Sequence, residues 1–280
     1  MNFRTTRRLF SMFVIAAAVS TPALAAPPTM DAASETRLKT LLAGAQRSDA
    51  NKARDAHRHP LETLKFFGVS QNSAVMEIWP GGGWWTEFLA PLVSEKGRYV
   101  AAHFEASQPY MQKAVDSFKD KLGKEPMLFG KVEMATLSPA TGKSEPVKPG
   151  SMDYVLTFRN LHNWMGSDSA KGMFDAMYKS LKPGGYLGVE EHRAPATVTQ
   201  DPKAASGYVR EDYAIKLIEA SGFKLVAKSE VNANPKDTKD YPKGVWTLPP
   251  NFAEGEKDRA KFAAIGESDR FTLLFQKPAN

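Results

Sequence analysis

Between residues 74 and 276 the chain alternates short apolar runs of strand length with longer segments of helical spacing, and nothing else in it restricts the fold as tightly. The strand-like runs fall at residues 74–79, 98–102, 127–132, 152–158, 186–190, 223–228 and 270–276. Helical spacing fills residues 86–93, 108–122, 169–181 and 211–220 between them. Alternation of this kind predicts a parallel, doubly wound sheet with helices on both faces. Right-handed crossovers then gather every strand-to-helix loop along one edge, where such folds take their ligands.

Upstream, Arg4, Arg7 and Arg8 precede an apolar run over residues 9–19, and Ala23-Leu24-Ala25 follows. This is the order of a secretory signal peptide, residues 1–25, cleaved before Ala26. The apolar run is well short of the roughly 20 residues that span a bilayer, so no permanent membrane anchor is expected. Thr6-Arg7-Arg8-Leu9-Phe10 resembles a twin-arginine export signal, and ordinary secretion explains the same residues equally well. Either route predicts a periplasmic protein. Cleavage removes three arginines and lowers the formal charge from +6 to +3, too little to track a phosphate backbone. Nucleic acid is thus not an expected partner. With no cysteine in the chain, disulfides, thiolate metal sites and a Cys nucleophile are excluded.

Residues 26–68 read as an N-terminal helical segment, in which Pro60 opens a short helix that Gly68 stops. Residues 69–280 read as one α/β domain, interrupted at about 230–269 by a proline-rich, charged stretch. Forty residues is long for a connection in a compact domain, so this insert is expected to be a functional loop or lid.

The sharpest motif leaves the first strand: Glu77-Ile78-Trp79-Pro80-Gly81-Gly82-Gly83. Glycine here lets the backbone turn tightly into a helix and approach a ligand closely, although a glycine run alone describes a bare turn as well. The segment resembles the first motif of class I S-adenosylmethionine (SAM)-dependent methyltransferases, an acid followed by three alternating glycines. Glu77, Gly81 and Gly83 match it, and Trp79 stands where the first glycine belongs. Four further segments follow in family order: residues 97–103, Glu133 to Leu137, residues 152–162 ending in Leu161-His162, and Leu181-Lys182-Pro183-Gly184-Gly185. The resemblance implies a Rossmann-like seven-stranded sheet with the last strand antiparallel, SAM as cofactor and a small-molecule acceptor. It also implies a cofactor site of Glu77, Gly81, Gly83, the ribose-binding position His103 with Glu105 nearby, Glu133 after the third strand for the adenine, and Asn160. An imidazole at 103 can bond one hydroxyl but cannot make the two-point grip of a carboxylate.

Methyl transfer needs partners held in line and, for a hydroxyl or amine acceptor, a base. At the ligand edge His162 and His192 are the candidate bases, with Glu191 beside them; the alternative for each histidine is a helix cap or a carbonyl partner. No His-Glu-x-x-His spacing is present, so no metal is expected. Trp84, Trp85, Trp164 and Trp246 divide between pocket wall and core. Arg54 and Arg58, spaced with Asp49 and Asp55, fit surface ion pairs or an arginine clamp on a carboxylate. Two functions remain open: a methyltransferase, or a catalytically inactive SAM- or small-molecule-binding protein that kept the fold. A nicotinamide dehydrogenase is disfavoured, because the glycines lack the G-x-G-x-x-G form.

Overall fold

The computed structural model describes Met1, residues 26–138 and residues 142–279, so the expected signal segment lies outside the described residues apart from Met1. Eight strands form one sheet: β1 (Ala74–Ile78), β2 (Arg98–His103), β3 (Glu133–Leu137), β4 (Ser144–Glu145), β5 (Met152–Phe158), β6 (Leu181–His192), β7 (Lys224–Ser229) and β8 (Arg270–Gln276). Their order is β4-β3-β2-β1-β5-β6-β8-β7. β3, β2, β1, β5 and β6 run parallel, and β8 enters antiparallel between β6 and β7. The eighth strand is the two-residue β4, which hooks antiparallel onto β3 from within the proline- and glycine-rich loop. It adds an edge to the expected seven strands.

One expected strand is a helix. Residues 127–132 hold the helical turn Pro126–Phe129, and β3 starts only at Glu133. Pro126 sits in the first turn, where its missing N–H costs nothing, and this pre-set geometry overrides the apolar run. Glu133 therefore opens a strand rather than following one.

Apolar side chains pack on both faces of the sheet. Met76, Val155, Leu187 and Phe271 meet Trp164, Met173 and Phe174 on one side. Val75, Tyr99, Leu156 and Leu274 meet Phe67, Phe88 and Leu89 on the other. The N-terminal helices are built into this second face. Arg47, with a buried side chain, grips Asp55 through two bonds of 2.7 and 2.6 Å and lies over the rings of Trp84 and Phe88. Among the described residues no helix is long and apolar enough to cross a membrane.

From β1 the chain winds outward through β2 and β3, then returns to place β5 and β6 on β1's other side. The order reverses between β1 and β5, where loops diverge and leave a crevice beyond the strand ends. Ile78 pairs with Thr157 there, so the next residues, Trp79 and Phe158, stand at its mouth.

Candidate active site

A cavity of about 430 Å³ opens at that switch point. Its floor is the turn from Trp79 to Gly82 and the segment from Phe158 to Asn163. Arg54 and Arg58 enter from the N-terminal helices, and His192 from the end of β6. The insert supplies the far wall through Trp246, Pro249, Pro250 and Asn251, with Glu267 and Ser268 at its return.

The turn itself is open to the cavity. Gly81 holds a left-handed backbone (φ 58°), and a Cβ placed on Gly81 or Gly82 would touch nothing within 4 Å. Gly83 differs. Its φ is 75°, and a Cβ there would lie 3.0 Å from the Phe118 ring. Gly83 does not line the cavity, so it serves the turn and the close pass of Phe118. Glu77 is buried beneath the turn, where Tyr99 and Thr86 both donate to its Oε2. Burial pushes its carboxyl up to about 7 against the opposing pull of those hydrogen bonds. Asn160 donates from Nδ2 to the Ile78 carbonyl at 2.9 Å, which ties the two sides of the crevice together.

His162, Glu191 and His192 converge at the far end. Glu191 is fully enclosed and accepts three bonds: from the backbone N–H of His192 at 2.8 Å, from that of His162 at 3.2 Å, and from His162 Nδ1 at 3.0 Å. The last bond requires the proton on Nδ1. In the neutral ring this makes Nε2 the lone-pair nitrogen, and His162 lines the cavity. This carboxylate–imidazole pair has the make-up of a positioned general base. His192 is a different case. Its Nδ1 bonds Ser268 Oγ, while Nε2 lies 4.0 Å from Glu191. Burial, then His162 and Arg159, drives its pKa far below the ordinary range, so it stays neutral. The three side chains each bring one ligating atom within 4.8 Å of the others. The donors already gathered on Glu191 explain that convergence.

The remaining residues expected from the resemblance lie outside this cavity. His103 ends β2, is 2 % exposed, and packs against Phe104 and Phe118, with both ring nitrogens unpartnered. Burial lowers its pKa to about 4. Glu105 accepts from Ser138 Oγ at 3.0 Å. Glu133 stands at the start of β3, away from the ligand edge, in an exposed pair with Arg98. Its expected place after the third strand is corrected by the helical turn at 126–129. Two residues the sequence did not assign belong to the site. Arg159 was legible as the first residue past β5 on the ligand edge. Glu267, 209 positions from its partner Arg58, carried no sequence signal.

These positions test how SAM fits. At the glycine end, the expected Gly81 and Asn160 line the cavity together with Gly82, and would take the methionyl portion. The adenosyl end does not fit as the family pattern implies. Trp79 adopts φ 49°, a left-handed backbone, and its indole lies beyond β1, among Phe104 just after β2 and Leu137 at the end of β3. It packs edge-on to Phe104 and Trp164, and Nε1 donates to the Leu137 carbonyl at 3.4 Å.

No family model matches the sequence, and no curated protein matches it. Likeness to solved structures shows the fold. A SAM-dependent methyltransferase from Aquifex aeolicus aligns with a TM-score of 0.54 at 16 % identity, over 87 % of this chain and 98 % of that one. The [4+2]-cyclase SpnF aligns with a TM-score of 0.55 at 16 % identity, over 93 % of this chain and all of that one. The chain thus has the class I methyltransferase fold. A cyclase shares it, so the fold alone does not choose the reaction.

Proposed function

We propose that the chain is a SAM-dependent methyltransferase acting on a small-molecule acceptor in the cell envelope. One observation carries the reading: His162, backed by Glu191, lines the same cavity as the Gly81–Gly82 turn. SAM supplies the electrophilic methyl group when bound. The chain's own residues then have separable tasks. Glu191 fixes the His162 ring and its tautomer, and Nε2 takes the proton of an acceptor hydroxyl or amine. Asn160 holds the β1 and β5 loops at fixed spacing. The insert, through Trp246 edge-on to His162, shields that proton transfer from water.

Export is supported by the basic, apolar and Ala-Leu-Ala order of residues 1–25. N-terminal sequencing of protein from the periplasm is expected to start at Ala26; a retained Met1 in a membrane fraction overturns this part.

A second reading, a binding protein without methyl transfer, is favoured by the Trp79 indole over the adenosyl position. Calorimetry of the mature protein with SAM and S-adenosylhomocysteine separates the two, together with mass spectrometry of co-purified ligand. Binding of SAM with transfer of its methyl group to an added acceptor supports the methyltransferase; binding without transfer leaves a SAM-binding protein. Absence of heat with either compound, in wild type and in Trp79→Gly alike, leaves the binding protein.

A further inference from the structure

We infer that the cavity recognises an organic oxyanion, a carboxylate or phosphate on an apolar, aromatic-sized body, held by Arg159 and Arg58. This deepens the reading above and rests on it for the acceptor's role, but not for the charge of the ligand.

The wall is rich in cations. Arg54, Arg58 and Arg159 line the cavity, and Arg270 lies directly behind. Against these four guanidinium groups stand Glu267 and, behind it, Glu190; Glu77, the other acid on the cavity lining, is already engaged by Tyr99 and Thr86 and pushed up to about 7. Glu267 is already saturated: Arg54 donates at 2.7 Å, Arg58 at 2.8 and 3.1 Å, and Arg270 at 3.1 Å. Glu190 lies 3.3 Å from Arg270. Arg159 has no side-chain partner at all among the described residues. Burial, and for Arg58 next the charge of Arg159, pulls both guanidinium groups down from their ordinary range. Positive charge is crowded here without a matching anion.

The buried polar atoms left unpaired in the wall are donors without exception: Arg58 Nη1, Arg159 Nε and Trp85 Nε1. Arg58 is 1 % exposed and Trp85 3 %. A buried donor without an acceptor is costly, and three around one cavity ask for a ligand that only accepts. An oxyanion does so, and the planar fork of arginine matches it at two points. Trp84, Trp85 and Phe158 form the adjoining wall, with Trp85 stacked on Phe158 at 3.9 Å, which suits a flat apolar body.

The backbone of Arg159 adds a third line. It sits at φ 58°, a conformation that glycine adopts freely and arginine does not. Strain of that kind persists where a side chain is needed in place.

Calorimetry with naphthoate, naphthyl phosphate and the neutral naphthamide tests this without SAM present. The wild type is expected to bind one or both acids and to bind the amide roughly tenfold or more weakly. Arg159→Gly, which removes the guanidinium and relaxes the backbone, should weaken acid binding roughly ten- to hundredfold. Its melting temperature should equal or exceed that of the wild type. Arg159→Lys keeps the charge without the fork and should fall between them. The two acids distinguish a carboxylate site from a phosphate site. Equal affinity for acid and amide, no acid binding by the wild type, or full affinity in Arg159→Gly overturns the inference. None of these outcomes depends on whether SAM binds.

Discussion

Trp79 and His103 are the two side chains at which the chain's motifs depart from the pattern they resemble, and each departs in a way that can be weighed. Trp79 keeps a left-handed backbone at a cost of about 1–3 kcal/mol. Its partly buried indole recovers more, since truncating a packed aromatic costs about 3–5 kcal/mol. Packing wins, so Trp79→Gly is expected to lower stability by about 1–3 kcal/mol in urea titrations. The same change vacates the space beyond β1 that the indole holds. Affinity for S-adenosylhomocysteine should therefore rise, and an unchanged value would mean that the indole does not bar the ligand. His103 is a buried imidazole whose pKa falls to about 4, below its unfolded value. The unfolded chain thus binds the extra proton, and stability drops as pH falls from about 6.5 towards 4. His103→Leu removes that penalty. Its stability relative to wild type should improve by about 1–2 kcal/mol between about pH 7 and pH 5. A difference that stays flat with pH would show that the imidazole has a partner in the folded protein.

At the scale of elements, legibility followed periodicity. β5 and β8 have the bounds their apolar runs predict, and the helix Pro60–Phe67 starts and stops at its proline and glycine. β3 was misplaced because Met127, Leu128 and Phe129 form an apolar run too short to tell strand from helix by period. That shift of a few residues carried Glu133 from the ligand edge to the opposite end of the sheet. The strand-to-helix loops were readable as the place of the site, since topology alone gathers them. Which of their side chains meet was not. The His162–Glu191 bond joins the start of one helix to the end of β6, and its distance depends on the twist between two strands. The insert was readable as an interruption by its prolines, but its fold over the cavity depends on contacts without local signature. Tyr208 donating to Asp237, which also accepts from the backbone of Asp269, is one of these.

In the whole molecule, two stretches distant in sequence meet at Glu267, which lies three residues before Arg270. Arg54 and Arg58 come from the N-terminal helices, Arg270 from β8, and Glu267 itself ends the insert. Burial by itself would raise the Glu267 carboxyl, but Arg58, Arg270, Arg159 and Arg54 together outweigh it and hold the group far below the carboxylate range. Its contribution to stability is present above the unfolded carboxylate pKa of about 4.5 and fades as pH falls towards the depressed folded value. Glu267→Gln leaves the guanidinium groups facing one another with no carboxylate between them. Breaking a buried pair in this way costs about 3–5 kcal/mol, much of it from charge left uncompensated. The exposed Arg98–Glu133 pair has equally short bonds, yet water screens it, so Glu133→Gln should cost at most about 1 kcal/mol. Urea titrations of both variants near neutral pH are expected to show that gap. It should narrow in acid, where protonation of Glu267 begins to unfold the wild type as well. Equal losses in the two variants would mean that the N-terminal helices and the insert are held to the sheet by apolar packing alone.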